Sequence, residues 1–300
     1  MDKKKTVVEG QINTKIRIEC FNPFSLDCQN LQPIRLSFGI VNPKGGMKPG
    51  EYAMKMFPHG VALIINNEQF ARQSDRHGTA VDERNLTHTF RFLGYRVEVH
   101  RNLDGNAMLA IMNEVGRRDH AQYDSFVCCI LSHGKEGHIY GADGTMVSLG
   151  DFCKKVDANN CPSLGDKPKL FFMQACRGRM REVIAVHVSA DAGDESPPEP
   201  TSVATDAGVR VATDSDMVIP TSVDFFFGYA TPLGSVAWRD IDYGSWYVAE
   251  LCKALCELST HASLGDIMTR VCLEVGRSYE CLGYKVSPEM INHLSKNVYF

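Results

Sequence analysis

Residues 169–178, KLFFMQACRG, join a short apolar run to an abrupt polar ending. A near-continuous apolar run of this length is typical of a strand buried on both faces of a parallel sheet. Cys176 comes three residues after Met173, the last residue of that run, where a strand would pass into a loop. The stretch therefore predicts a thiol that is held rigidly at a strand end and can still meet a ligand.

Similar apolar runs precede this strand and alternate with helical patterns. The predicted strands are 61–65, 95–99 and 125–131, and the predicted helices are 79–93 and 104–115. Strands that alternate with helices indicate a mainly parallel sheet with helices on both faces. The sequence therefore predicts an α/β fold.

Residues 189–216 break this alternation. They contain no aromatic residue, three prolines and seven acids against one arginine. Such a segment buries too little apolar surface to offset the entropy lost on ordering, so it is predicted to be a disordered linker.

The sequence after the linker supplies only a few elements. We expect a strand at 224–229, helices at 245–258 and 264–275, and a terminal strand at 298–300. One or two strands cannot form a second sheet domain, so residues 51–188 and 217–300 are expected to build one domain around an excisable linker. Residues 1–50, broken by prolines and a glycine pair, are expected to be an N-terminal extension or short pro-segment.

Composition excludes several classes of protein. A net charge of −4 argues against nucleic acid or an anionic membrane as a partner. No apolar stretch reaches the roughly 18 residues of a membrane span, and no secretory signal is evident. Eleven cysteines scattered through apolar segments fit a reducing, cytoplasmic location. Cys252 and Cys256 could be one half of a zinc site, but no second Cys or His pair lies at the spacing such a site needs. No metal or other cofactor is therefore expected.

A histidine at a second strand end is the natural partner for the thiol. His133 follows the apolar run 126–131 and precedes Cys176 by 43 residues. A thiol needs a base to become a good nucleophile, and an imidazole can also return the proton to a leaving amine. Gly134 has no side chain, so its N–H can join that of Cys176 in an oxyanion hole. No aspartate or asparagine stands out as a third, orienting residue.

These motifs resemble those of the caspases, cysteine proteases that cut after aspartate. The resemblance runs from about residue 52 to residue 300, and QACRG at 174–178 with SHG at 132–134 carries most of it. Further similar segments are RHGT at 76–79, WRD at 238–240 and GSW at 244–246. NCPSLGDKPK at 160–169 is most similar to the caspase two branch of initiators, and STHA at 259–262 to related cell-death proteases. The resemblance implies a six-stranded, mostly parallel sheet flanked by helices.

The resemblance also implies how substrates are selected. Arg76, Arg239 and Gln174 match the residues that line the S1 pocket, which receives the aspartate before the cleaved bond (P1). Guanidinium groups pair with a carboxylate in a bidentate geometry that lysine cannot reproduce.

Four further residues are expected to shape the neighbouring subsites. Val236 replaces an aromatic ring at S2 and should admit a larger P2 residue. Asp240 replaces an asparagine at S4 and should repel an acidic P4. Trp238 and Trp246 should offer apolar surface, so an aliphatic P4 is expected to be preferred.

The linker itself contains candidate cleavage sites. The tetrapeptide VATD occurs at 203–206 and again at 211–214, each followed by a small residue. Disordered segments are where proteolysis concentrates. Asp206 and Asp214 are therefore expected to be processing sites, with Asp191 and Asp216 as further candidates. Cleavage would convert a zymogen into a large subunit that ends near 191–216 and a small subunit that begins near 207–217. Residues 51–188 and 217–300 would then be the large-subunit and small-subunit parts of one catalytic domain.

Several alternatives stay open. A catalytically silent homologue that regulates other caspases would usually lack the thiol, the histidine or an S1 arginine, and this chain has all of them. A peptidase cutting after lysine or arginine would need acids in place of Arg76 and Arg239. The family implies a homodimer that acts on protein substrates, with an upstream caspase or an inhibitor protein as possible partners. The sequence does not separate an initiator from an executioner role in apoptosis.

Overall fold

The computed structural model describes residues 50–180, 223–278, 280–281 and 284–300, together with the short pairs 7–8 and 11–12. The strands are β1 Val7–Val8, β2 Gln11–Ile12, β3 Gly60–Asn66, β4 Arg96–Arg101, β5 Ser125–Leu131, β6 Gly134–Lys135, β7 His138–Tyr140, β8 Met146–Ser148, β9 Lys169–Gln174, β10 Gly178–Met180, β11 Phe225–Tyr229, β12 Gly234–Ser235, β13 Arg239–Asp240, β14 Gly244–Ser245, β15 Glu280–Cys281, β16 Tyr284–Lys285 and β17 Glu289–Asn292. The helices are α1 Thr79–Phe92, α2 Gly105–Arg117, α3 Leu149–Cys153, α4 Trp246–Leu258 and α5 Leu264–Ser278, with 3-10 turns at Lys154–Val156 and Pro162–Leu164.

A six-stranded sheet forms the centre of the fold. Its strand order is β17-β11-β9-β5-β3-β4, and only β17 runs antiparallel to its neighbour. The four central strands are buried along their whole length, as their continuous apolar runs predicted. The predicted mostly parallel, six-stranded α/β sheet is confirmed.

Helices cover both faces of this sheet, which also confirms the prediction. Alternate residues of each strand point to opposite faces, so Cys129 packs with α1, α4 and α5, while Cys128 packs with α2 and α3. Both thiols are fully buried and free. No helix among the described residues is long and apolar enough to cross a membrane.

The described residues also form four smaller sheets. They are β6-β7-β8, β10-β12, β15-β16 and β1-β2-β13-β14. In the last of these, β13 pairs antiparallel with β14 and parallel with β2. The hairpin β13–β14 carries Arg239 and lies beside the N-terminal end of α1, where a Cβ on Gly78 would come within 2.5 Å of the Asp240 carbonyl oxygen.

The expected terminal strand at 298–300 is wrong. The sixth strand is β17, whose residues alternate between partly buried and exposed. Val298 is instead buried in the core, and its carbonyl accepts the N–H of Leu264 at 2.9 Å. The ring of Phe300 packs edge-on to Tyr95 at 6.3 Å. The apolar chain end therefore packs into the core beside α5.

The structure covers the domain boundaries only in part. β11, which follows the predicted linker, pairs in parallel with β9, which precedes it. Residues on the two sides of the linker thus share one sheet, as a single domain requires. The linker 189–216 and the candidate processing sites Asp191, Asp206, Asp214 and Asp216 lie outside the described residues, as does most of 1–50.

Candidate active site

Two adjacent strands bring the predicted thiol and imidazole to the same edge of the sheet. β5 and β9 are parallel neighbours, and Leu131 lies opposite Gln174 at their carboxyl ends. His133 and Cys176 each follow two residues later, on strands that lie about 4.8 Å apart. The N–H of Ser132 donates to the Gln174 carbonyl at 3.2 Å and extends the pairing towards both residues.

Gly134 lies directly against the backbone around Cys176. A Cβ at this glycine would come within 2.8 Å of the Cys176 carbonyl oxygen and 3.0 Å of the Ala175 Cβ. Contacts under 3.0 Å are not tolerated, so the absence of a side chain is what permits this approach. The three residues predicted to build the nucleophile, the base and the oxyanion hole therefore lie together.

A backbone carbonyl orients the imidazole. Nε2 of His133 lies 2.8 Å from the Ser74 carbonyl oxygen, which can only accept. Nε2 therefore carries the proton, and Nδ1 of the neutral ring is left as the basic nitrogen. The Phe70 ring packs against the imidazole at 4.6 Å. Sequence analysis missed Ser74 because a backbone oxygen leaves no side-chain signature.

The imidazole is neutral near pH 7. Burial, together with the nearby positive charges of Arg76 and Arg239, lowers the pKa of His133 to about 4, against the opposing hydrogen bond to the Ser74 carbonyl. A neutral ring can accept a proton from the thiol. The sulfur of Cys176 accepts the N–H of Ala237 at 3.4 Å, and such a donor favours the thiolate.

The two predicted S1 arginines are buried beside this pair. Arg76 is 1% exposed, and its Nη1 donates to the Asn67 carbonyl and to Thr79 Oγ1, both at 3.1 Å. Arg239 is 5% exposed, and its Nε donates to the His77 carbonyl at 2.9 Å. Burial lowers the pKa of each guanidinium, and the two charges also repel each other.

Two polar groups of the predicted S1 pocket lack partners. Arg239 Nη2 and Gln174 Oε1 are buried without a hydrogen bond to any described atom. Gln174 Nε2 donates to the Trp238 carbonyl at 3.3 Å, so the amide is held by the residue that precedes β13. An unpaired buried guanidinium nitrogen is costly, and a carboxylate is the group that would satisfy it best.

The predicted S2 and S4 residues lie on the segment around β13. The indole rings of Trp238 and Trp246 stack at 5.8 Å with an interplanar angle of 9°, and Val236 packs partly buried against the same core. Asp240 Oδ1 accepts the N–H groups of Asp242 and Tyr243 at 2.8 and 2.9 Å. Asp240 therefore also closes the turn between β13 and β14, a role that sequence analysis did not predict.

Arg177 is a further residue whose surroundings sequence analysis missed. Its guanidinium forms an ion pair with Glu289 of β17, donates to the Thr231 carbonyl at 3.2 Å and lies 3.9 Å over the Tyr229 ring. The side chain next to Cys176 thereby connects the loop after β9 to β11 and β17. Its partner lies 112 residues away in the sequence, beyond the reach of any local pattern.

Sequence comparisons agree with this geometry. Residues 59–299 match the model of the caspase domain family. The chain is 36% identical to human caspase-9 over 264 residues, which cover 83% of the chain and 63% of that relative. It is 35% identical to bovine caspase-3 over 262 residues, covering 83% of the chain and 87% of the relative. With human caspase-10 the identity is 37% over 209 residues, 69% of the chain and 37% of the relative.

These identities are nearly equal, so the predicted caspase two branch stays a prediction. The assignment to the caspase family does not depend on the branch, because the model of the caspase domain matches most of the chain. The silent-homologue alternative is not favoured, since the thiol, the imidazole and both arginines are present and lie together. The chain belongs to the caspase family of cysteine-type endopeptidases, which cleave peptide bonds after aspartate.

Proposed function

We propose that Cys176 is the nucleophile and His133 the general acid and base. The thiol proton passes to Nδ1 of His133 while the sulfur bonds to the scissile carbonyl carbon. The carbonyl oxygen becomes an oxyanion that the N–H groups of Gly134 and Cys176 stabilise. His133 then protonates the departing amine as the C–N bond breaks, and water hydrolyses the thioester. The observation that carries this proposal is the register of β5 and β9, which puts both side chains two residues past paired positions.

Arg76 and Arg239 are proposed to bind the P1 aspartate, with Gln174 at the wall of the pocket. The unpaired Nη2 of Arg239 supports this, because a P1 carboxylate would supply its missing acceptor. Two cations within a buried site also fit an anion better than a neutral side chain.

We propose that the adjoining subsites favour apolar residues. Stacked Trp238 and Trp246 support an aliphatic P4, and Val236 supports a larger P2. The acidic side chain of Asp240 would repel a P4 aspartate. A positional-scanning fluorogenic peptide library on the purified protein tests P1, P2 and P4 together, with Cys176→Ala as the blank. Strong P4 aspartate preference would refute the S4 proposal, and cleavage after residues other than aspartate would refute the S1 proposal.

The chain is further proposed to be a zymogen that acts in apoptosis and is cut at Asp206 and Asp214, with Asp191 and Asp216 as further sites. The repeated VATD sequence supports these sites. Residues 1–50 are proposed as a pro-segment, and the pairing of β2 with β13 supports this, since it occupies a backbone edge of the strand that carries Arg239. Mass spectrometry of the active protein would reveal the cleavage sites, and an intact linker would refute the processing proposal.

The proposed assembly is a homodimer in the cytoplasm. β17 supports it as an outer strand that pairs with β11 on one side, with Met290 39% exposed among its residues. An edge strand of this kind can pair with a second copy across a two-fold axis. Protein substrates, an upstream caspase and an inhibitor protein are the other proposed partners. Sedimentation of the processed protein would test the dimer, and a monomer with full activity would refute it.

A further inference from the structure

Asp82 is a buried carboxylate to which the mechanism above gives no role. Asp82 lies in the first turn of α1 and is 1% exposed. Its Oδ1 accepts the N–H of Ser245 at 2.7 Å, and its Oδ2 accepts the Ser245 hydroxyl at 2.5 Å. A buried carboxylate is costly unless it is hydrogen-bonded, and a single residue of the β13–β14 hairpin here supplies both donors.

The hairpin residue that Asp82 contacts lies directly opposite a predicted S1 arginine. Ser245 pairs with Arg239 in the β13–β14 register. The adjacent Gly244 has a φ of +83°, and a Cβ there would come within 2.5 Å of Asp82 Oδ1. The carboxylate therefore fits closely against the hairpin, so that movement of Asp82 or Ser245 would displace the backbone that carries Arg239.

The same helix is also bonded to the other arginine. Arg76 Nη1 donates to Thr79 Oγ1 at the start of α1, and that hydroxyl donates to Asn66 Oδ1 at 2.8 Å. Asp82 attracts both guanidinium groups electrostatically, whereas Arg76 and Arg239 repel each other. Neither arginine forms an ion pair with a carboxylate within the part of the chain that the structure describes.

We propose that Asp82 is a positioning residue for the S1 pocket. Through Ser245 it fixes Arg239 relative to Arg76, at a separation that suits the short aspartyl side chain, and its charge offsets the repulsion between them. The inference rests on the proposed S1 assignment. It adds a specific consequence: Asp82 sets discrimination between aspartate and glutamate at P1, although it does not line the pocket.

The test is Asp82→Asn, which keeps the size of the side chain and removes its charge. We expect KM for a P1-aspartate peptide to rise about tenfold to a hundredfold, the range expected when a hydrogen bond to a charged group is weakened. The aspartate-to-glutamate ratio of kcat/KM should fall at least about fivefold, because a looser hairpin admits the longer acid. Alkylation of Cys176 by iodoacetamide, which needs no S1 pocket, should stay within about twofold of wild type.

Asp224→Asn is the matched control. Asp224 is also buried and accepts hydrogen bonds from the hydroxyl groups of Tyr52 and Ser295. It precedes β11, however, and so lies at the amino-terminal end of a strand, whereas the candidate site follows the carboxyl ends. This control should lower stability without changing the aspartate-to-glutamate ratio. If Asp82→Asn does not fold, Ser245→Ala removes only the hydroxyl bond, and the ratio should still fall.

Each outcome has a distinct meaning. An unchanged ratio in the folded Asp82→Asn or Ser245→Ala protein, with wild type still preferring aspartate, would overturn the positioning role alone. An equal fall of the ratio in Asp224→Asn would overturn it as well, since the effect would then be general. A wild-type protein without aspartate preference would instead refute the S1 assignment.

Discussion

Replacing Arg239 by methionine should separate binding from stability. Arg239 is buried, with one hydrogen bond from Nε to the His77 carbonyl and one unpaired nitrogen, Nη2. Arg239→Met keeps most of the side-chain volume and removes the charge. Loss of the Nε bond costs about 1.5–3 kcal/mol, and relief of the unpaired, desolvated charge returns a similar amount. The free energy of unfolding should therefore stay within about 1 kcal/mol of wild type or rise.

The activity of Arg239→Met should fall, although its stability does not. A P1 carboxylate that loses a buried charged partner loses about 2–5 kcal/mol, so kcat/KM should fall roughly 30-fold to 5,000-fold. The assay pairs urea unfolding, in a Cys176→Ala background that cannot cleave itself, with hydrolysis of a P1-aspartate peptide in the Cys176 protein. Arg101→Met is the control, because Arg101 pairs with Glu83 at the surface with its side chain 65% exposed and should change unfolding by less than about 1 kcal/mol.

One result would refute this reasoning. If Arg239→Met unfolds more than about 2 kcal/mol more easily and still cleaves after aspartate at near wild-type rates, Arg239 is a structural cation and not a substrate-binding one.

Two further predictions concern the reacting groups. Gly134→Ala should lower kcat about 100-fold to 1,000-fold, because its Cβ would meet the Cys176 carbonyl oxygen and displace an oxyanion donor. Gly276→Ala is the control. Gly276 lies in open space on α5, so this variant should leave peptide hydrolysis unchanged. Because burial lowers the pKa of His133 to about 4, the unfolded chain binds a proton there first as pH falls. Stability should therefore drop between about pH 6.5 and pH 4, and His133→Gln in a Cys176→Ala background should flatten that drop; an unchanged slope in urea unfolding would contradict the assignment.

The core of the fold could be predicted because its strands are buried on both faces. Runs such as 61–65 and 125–131 are apolar throughout, and that pattern needs no knowledge of their neighbours. β17 could not be found this way, because its four residues, EMIN, neither form an apolar run nor alternate polar and apolar types, although their burial alternates. At 298–300 a strand was predicted where none forms, because an apolar sequence indicates burial and does not by itself indicate a strand.

The site was predictable where side chains carry the chemistry. Cys176, His133 and the two arginines could be named from their motifs, and the structure brings them to one edge of the sheet. The Ser74 carbonyl could not be named, because any residue type provides a backbone oxygen. The contact of Asp82 with Ser245 likewise could not be predicted, because the two residues are 163 positions apart in the sequence and meet only in the folded chain.

Labelling with an irreversible aspartyl ketone tests the central claim most directly. Such a reagent needs a nucleophilic thiol, a base and a cationic S1 pocket at once. We expect stoichiometric mass addition at Cys176 in the wild-type protein, slower addition in His133→Gln, and none in Cys176→Ala. Labelling of another cysteine, or equal rates with and without His133, would contradict the account.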